Sequence, residues 1–345
     1  MAFSLPRVRS DGCDLNHTET RARGPDIEAT FLNENKAVRF SPPRLEIRRI
    51  NWIRHTPMAG IFTKIRTTLE MIKWEHSIFA LPFALTAMLL AAHGLPGWRT
   101  FLWIIVAMVS ARSAAMAFNR WADADLDARN PRTSNRAIPA GLLSRQFVLG
   151  FTCAAIVVFL VAAGQLNRLT LELTPVVLVV LLGYSYLKRF TRWSHIGLGL
   201  ALGLAPSAAW IAVRGSLDPR ILVLTGAVTL WVGGFDVLYA CQDFEHDRAA
   251  GLHSLPQATS VTAAFWIARC MHLAMLVGLV WFGRLFDFGV AGWLGIAAVG
   301  ILLAYEHSLV SPRDLRRLNA AFFTMNGVIA MVFLCFVTAD LWLRR

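Results

Sequence analysis

The chain has 345 residues, 56% of them hydrophobic and only 16% charged, and its 34 basic against 22 acidic residues leave a net charge of +12. A water-facing domain carries about 25% charged residues, so an ordinary soluble protein is excluded. The 22 Phe and 12 Trp exclude disorder over most of the length, because they give ample apolar area to bury.

Residues 1–58 are polar, broken by Pro and Gly, and without a sustained period. They also lack the apolar core of a signal peptide, and so are expected to form a disordered, basic cytoplasmic extension to a membrane domain over 59–345. Over 60–75, Ile, Leu, Met and Trp recur with Lys and Arg at helical spacing, which predicts a helix lying on the membrane surface. Apolar stretches follow at 77–93, 100–119, 146–164, 171–188, 195–213, 220–240, 262–283, 288–308 and 319–342. Each approaches the ~20 residues of a membrane span, so the expected fold is all-α and polytopic, with about nine transmembrane helices.

Orientation follows from the loops. One set holds Arg120, Arg129, Arg132, Arg136, Arg145, Lys188, Arg189, Arg192, Arg248, Arg313, Arg316 and Arg317; the alternate set holds only Arg99, Arg168, Arg214, Arg220 and Arg284. Positive residues collect on the cytoplasmic side of the membrane, which places the first set and the amino terminus inside and the carboxyl terminus outside. The same rule accounts for the basic balance without nucleic acid, and none is expected as a partner. Cys13, Cys153, Cys241, Cys270 and Cys335 show no CxxC pair, so neither a disulfide framework nor a zinc site is indicated.

The two long inside connections, 120–145 and 241–261, carry the chemistry. Asn119, Asp123 and Asp127 are four apart and stack along one face of a helix leaving the membrane, while Asp125 points elsewhere. Asp236, Tyr239, Asp243 and Asp247 again share one helical face. Like charges at this spacing repel, and an acid inside a membrane is costly without a partner, so both stretches ask for a cation. Oxygen-only ligands select a hard ion, and few ligands per cluster suit Mg²⁺, which keeps waters or takes phosphate oxygens. Two such clusters would hold Mg²⁺ bridged by a diphosphate; the alternative is a pair of solvated acidic helix ends balanced by Arg120, Arg129 or Arg248. Ser, Cys and His residues offer no spacing for a nucleophilic triad. Arg269 and His272 read as structural or pore-lining, and His246 and His253 as solvated loop residues.

These two stretches resemble the paired aspartate-rich motifs of the UbiA family of intramembrane aromatic prenyltransferases. Asn119, Asp123 and Asp127 match NxxxDxxxD; Asp236, Tyr239, Asp243 and Asp247 match DxxYxxxDxxxD. The resemblance extends to KWEHSIFALPFAL at 73–85, Arg112, RTSNRAIPAG at 132–141 and YSYLKRFT at 184–191. Departures are Arg120 where an Asp is common, Ala137 in place of a frequent Pro, and His253 in place of a Lys.

The resemblance implies Mg²⁺-dependent transfer of a polyprenyl chain from its diphosphate to an aromatic acceptor. That acceptor is expected to be 4-hydroxybenzoate in quinone synthesis, with another aromatic acceptor of an alternative menaquinone route as the second choice; a cation transporter is a distant alternative. By the same resemblance Asn119, Asp123, Asp127, Asp243 and Asp247 hold the metal, and Arg132, Arg136 and Lys188 hold the diphosphate. Arg112 meets the acceptor unless it is instead a salt bridge to Asp236, and Asp236 and Tyr239 orient the phenol or take its proton.

Overall fold

Uninterrupted apolar runs with short basic connections leave no period-2 pattern, and the computed structural model contains no strand among the residues it describes, 57–73, 79–315, 318 and 324–344. The extension expected over 1–58 therefore lies, up to residue 56, outside the described residues. All described residues fall within one compact unit, His55–Arg345.

Helix α1 (Pro57–Ile72) precedes α2 (Leu81–Ala92), a short apolar helix that leads into α3 (Trp98–Ala122) and its continuation α4 (Ala124–Arg129). Next come α5 (Arg145–Leu166), α6 (Arg168–Glu172), α7 (Thr174–Leu187), α8 (Ser194–Arg214) and α9 (Ile221–Ala240). A 3₁₀ turn, Cys241–Asp243, leads to α10 (Phe244–Ala250) and α11 (Leu255–Ala258), then α12 (Val261–Leu285), α13 (Val290–Leu309) and α14 (Asn326–Leu343).

Eight stretches among the described residues are long and apolar enough to cross a membrane: α3, α5, α6 with α7, α8, α9 through α10, α12, α13 and α14. With α2 as a shorter ninth, this agrees with the count expected from hydropathy. Large apolar side chains such as Val176, Val179 and Ile301 are turned outward on these helices, a cost in water but none in lipid. The chain is an integral membrane protein.

Local signals set the helix starts. Ser144 Oγ accepts from the Phe147 N–H at 3.1 Å, Asn167 Oδ1 from Thr170 at 2.9 Å and Ser260 Oγ from Ala263 at 3.1 Å. These side chains satisfy N–H groups that a helix start leaves open. Pro175 and Pro256 stand in the first turns of α7 and α11, where the missing N–H costs nothing.

Helix pairing in lipid rests on close backbone approach, not on hydrophobic exclusion. Gly199 and Gly203, one turn apart on α8, permit it: a Cβ at Gly199 would fall 2.3 Å from Thr229 O, and one at Gly203 2.2 Å from Thr229 Oγ1. The gap is closed further down by a 2.6 Å hydrogen bond between the Ser207 and Thr225 hydroxyls. An aromatic core ties α2, α9 and α14 together, with Phe83 5.1 Å from Trp231 and 5.4 Å from Phe333 between ring centroids.

At the opposite end from the acidic stretches, Asp340 of α14 is 1% exposed and accepts from the N–H groups of Gly289 and Gly292, both at 3.0 Å. It thus satisfies open donors at the start of α13 from a different helix, while Arg344 balances its charge at 2.9 Å. Helix α1 leaves Phe62, Ile65 and Leu69 exposed beside Lys64 and Arg66 and buries Met71 and Ile72 against Ala117 of α3. One apolar stripe outward and one inward suit a helix lying at an interface.

Candidate active site

The close packing of α8 on α9, and of α3 beside α7 and α8, leaves a cavity of about 1140 Å³ open toward the acidic ends of α3 and α9. Asn119 lies near the end of α3, Asp123 at its junction with α4, and Asp127 within α4. The four-residue spacing keeps the three together, and Asp123 and Asp127 are only 2% and 5% exposed. Asp125 points away, as the spacing implied, and pairs with Arg145.

The second stretch is less regular than its spacing suggested. Helix α9 stops at Ala240, and the 3₁₀ turn through Asp243 intervenes before α10, so Asp236, Tyr239, Asp243 and Asp247 do not lie on one unbroken helix. All four nevertheless line the cavity, together with Arg112, Arg132, Arg136 and Lys188. The metal, diphosphate, acceptor and catalytic candidates of the sequence are thus brought to one wall or another of a single space.

In this arrangement the acids are matched by bases. Lys188 Nζ donates to Asp123 Oδ2 at 2.7 Å, Asn119 Nδ2 donates to the same oxygen at 3.1 Å, and Arg189 Nη2 reaches Oδ1 at 3.5 Å and Ala122 O at 2.6 Å. Arg136 Nη1 donates to Asp127 Oδ1 at 2.7 Å. Arg132 grips Asp243 with Nε on Oδ1 at 2.8 Å and Nη2 on Oδ2, and donates from Nη1 to the Tyr239 hydroxyl at 3.2 Å. Asn130 Nδ2 adds a bond to Asp243 Oδ1 at 3.1 Å. Burial pulls the Arg132 guanidinium down, but its bonds and attraction to Asp243 outweigh that and hold it above its ordinary value.

The alternative reading of Arg112, a salt bridge to Asp236, is set aside by the contacts both residues make. Arg112 is not the partner of Asp236: its Nη2 donates to Lys73 O at 3.3 Å, and its Nε is buried with no hydrogen-bond partner. Asp236 Oδ2 instead meets His195 Nδ1 at 2.7 Å. The sequence pattern does not single out His195. The signal was an ionisable side chain inside an apolar span, which is a functional candidate by default, but with no motif spacing around it. Asn130 was missed for a plainer reason: its contact with Asp243 joins residues 113 apart in sequence.

A hard cation fits the acidic end by its chemistry. The donors are carboxylate, amide and phenol oxygens, and Asp127 Oδ2 is a buried carboxylate oxygen with no partner. Among the described residues no three His, Cys, Asp or Glu converge into a ready-made cage, so an ion there would complete its shell with water or phosphate oxygens, as Mg²⁺ does. The remaining cavity wall is apolar, running past Leu202 and Ala205 to Leu217 and Leu222 near the far end of α8 and the start of α9.

The UbiA prenyltransferase family model matches residues 80–328. A 4-hydroxybenzoate octaprenyltransferase of Vibrio cholerae is 30% identical over 286 residues, covering 81% of this chain and 99% of the relative. Its counterpart in Cupriavidus necator is 33% identical, covering 72% and 87%. Among solved structures, the apo UbiA homolog from Aeropyrum pernix K1 superposes with a TM-score of 0.71 at 28% identity, covering 77% of this chain and 98% of the other. The Archaeoglobus fulgidus homolog bound to GPP and Mg²⁺ shares the fold at a TM-score of 0.65 and 18% identity, covering 80% and 99%. The residues around the cavity, the helical architecture and these likenesses agree: the chain belongs to the UbiA prenyltransferase family.

Proposed function

We propose that the protein transfers a polyprenyl chain from its diphosphate to 4-hydroxybenzoate, with Mg²⁺, at the cytoplasmic face of the inner membrane in quinone synthesis. The observation that carries this reading is one cavity with two ends. One end is built of acids and bases, and the other is an apolar wall that continues along α8. A diphosphate joined to a hydrocarbon tail has the same two ends. The Vibrio and Cupriavidus relatives bear the name 4-hydroxybenzoate octaprenyltransferase, and the Archaeoglobus homolog was solved with GPP and Mg²⁺; both support the choice of substrates. The basic residues that collect at the acidic end of the bundle support a cytoplasmic active site.

Asn119, Asp123 and Asp127 from one stretch and Asp243 and Asp247 from the other are the residues that would hold the ion. Bound Mg²⁺ supplies positive charge where negative charge builds on the diphosphate oxygens. Arg132, Arg136 and Lys188 now rest on the carboxylates, within reach of an incoming anion. When diphosphate binds, these side chains have a better-matched partner, and Arg132 presents a planar fork suited to phosphate oxygens.

The allylic C–O bond breaks with its electron pair on the diphosphate, and the cation left on the prenyl carbon is delocalised. No protein nucleophile is needed, in keeping with the lack of a triad. The apolar walls exclude water that would otherwise capture the cation. An electron-rich phenol ring carbon, ortho to the hydroxyl, forms the new C–C bond and loses its ring proton to the departing diphosphate, while Tyr239 orients the hydroxyl and Asp236 takes its proton and later returns it. Arg112, with its buried and unpartnered Nε, receives the acceptor's carboxylate.

The test is direct. Detergent-purified protein, labelled polyprenyl diphosphate, Mg²⁺ and a panel of phenolic acids should yield labelled prenylated 4-hydroxybenzoate. Absence of any labelled aromatic product, or label only in an acceptor without a carboxylate, contradicts the proposal.

A further inference from the structure

We infer that His195 is a positioning residue for the reaction: it fixes Asp236 as the proton acceptor for the phenol and ties that acceptor to the loop over the diphosphate end. This rests on the function proposed above and deepens it. The argument begins with a tautomer. His195 is 3% exposed, and its Nε2 accepts a hydrogen bond from the Leu255 N–H at 3.3 Å. A backbone N–H can only donate, so Nε2 carries no proton and the neutral ring must carry it on Nδ1. Nδ1 then donates to Asp236 Oδ2 at 2.7 Å.

Two consequences follow. With its Nε2 lone pair engaged, His195 is not itself free to take a proton from substrate. Asp236, held through Oδ2, is left with Oδ1 for the cavity that its side chain lines. A carboxylate fixed by a donor on one oxygen presents the other in a defined direction, the inverse of the arrangement in which a carboxylate orients a histidine base.

The same imidazole reads the loop. Leu255 begins α11, just after the second acidic stretch, and two residues earlier the His253 N–H donates to Lys188 O at 2.8 Å. The loop that carries Asp247 toward α11 is therefore pinned at two points to the α7–α8 region, one of them the imidazole that holds Asp236. Placement of the base is linked to placement of the loop beside the diphosphate.

In the transfer, Asp236 takes the phenol O–H proton as the ring carbon bonds to the prenyl carbon and the C–O bond to diphosphate breaks. The resulting dienone loses its ring proton to the departing diphosphate, and the oxygen recovers its proton from Asp236. The products are prenylated phenol and protonated diphosphate, with Asp236 returned to its starting state.

Asparagine and glutamine separate the two arms of His195. Asn places an amide N–H near the Nδ1 position and can donate to Asp236; Gln places its amide oxygen near Nε2 and can accept from Leu255 but does not reach Asp236. The experiment measures kcat, and KM for both substrates, in wild type, His195→Leu, His195→Asn and His195→Gln, with melting temperature in detergent recorded for each. Loss of an orienting partner of this kind costs roughly 10–100-fold. That loss is expected in kcat for His195→Leu and His195→Gln, with KM for prenyl diphosphate nearly unchanged and most of the rate restored in His195→Asn. If Asn is no better than Gln, or the losses follow melting temperature alone, His195 is merely a structural latch and the inference is overturned. Should His195→Leu fail to fold, the Asn–Gln comparison decides alone. A wild type that makes no prenylated phenol overturns the proposed function, and this inference with it; an active wild type beside a fully active His195→Leu overturns only this inference.

Discussion

Arg132 and Asp243 meet through two guanidinium nitrogens and both carboxylate oxygens, Nε to Oδ1 at 2.8 Å and Nη2 to Oδ2, across 111 residues of sequence. The contact fastens the loop after α4 to the turn after α9, so the two acidic stretches form one site and not two independent helix ends. It also holds the pair in a partly buried setting, where charge-assisted bonds are stronger than at an open surface.

Replacing Asp243 with Asn keeps the shape of the site and removes the charge. Arg132 would then lose its ionic partner, and the acidic end would lose one ligand for a cation. The expected result is a fall in kcat/KM of roughly 10²–10³, the loss typical of one preorganised electrostatic contact at a developing oxyanion. Asp123→Asn should behave likewise. Steady-state kinetics with both substrates varied checks this; wild-type rates in both variants would remove these acids from the reaction.

Arg112 sits deeper than the ion pairs, with Nη2 on Lys73 O and Nε unpartnered. Arg112→Ala should therefore raise KM for 4-hydroxybenzoate more than KM for prenyl diphosphate. The comparison that isolates the carboxylate uses the uncharged amide of the acceptor: the variant should lose discrimination between acid and amide. Equal weakening of both acceptors would show that Arg112 is not reading a carboxylate.

Asp340 makes a prediction about stability instead of rate. It is buried, satisfies two N–H groups at the start of α13 and pairs with Arg344. Asp340→Ala leaves those donors open and should destabilise the α13–α14 contact by about 1–3 kcal/mol. Thermal unfolding in detergent should show the drop, with turnover at low temperature unaffected because the site lies at the other end of the bundle.

Much of this was legible in the sequence because the relevant patterns are local. Apolar runs of span length fix the helices, and four-residue spacing places Asn119, Asp123 and Asp127 together. The break at Cys241–Asp243 was not legible, because nothing in ACQDFEHD forbids a continuous helix; a tighter turn takes over there. The identity of each acid's partner was hidden too. Lys188 lies 65 residues from Asp123 and His195 41 from Asp236; the first pairing needs α7 set beside α3, and the second needs α8 settled on α9, which Gly199 and Gly203 permit. The sequence offered Arg112 only as an alternative partner for Asp236; His195 as its partner came into view only with the packing.

The central claim is that the two acidic stretches jointly hold a metal and a diphosphate. Turnover of labelled polyprenyl diphosphate into prenylated 4-hydroxybenzoate, measured in EDTA and then after adding back divalent ions, tests it most directly. The expected result is no product in chelator and full recovery with Mg²⁺ or Mn²⁺, because Asn119, Asp123, Asp127, Asp243 and Asp247 all offer hard oxygens. Undiminished turnover in EDTA would contradict the account.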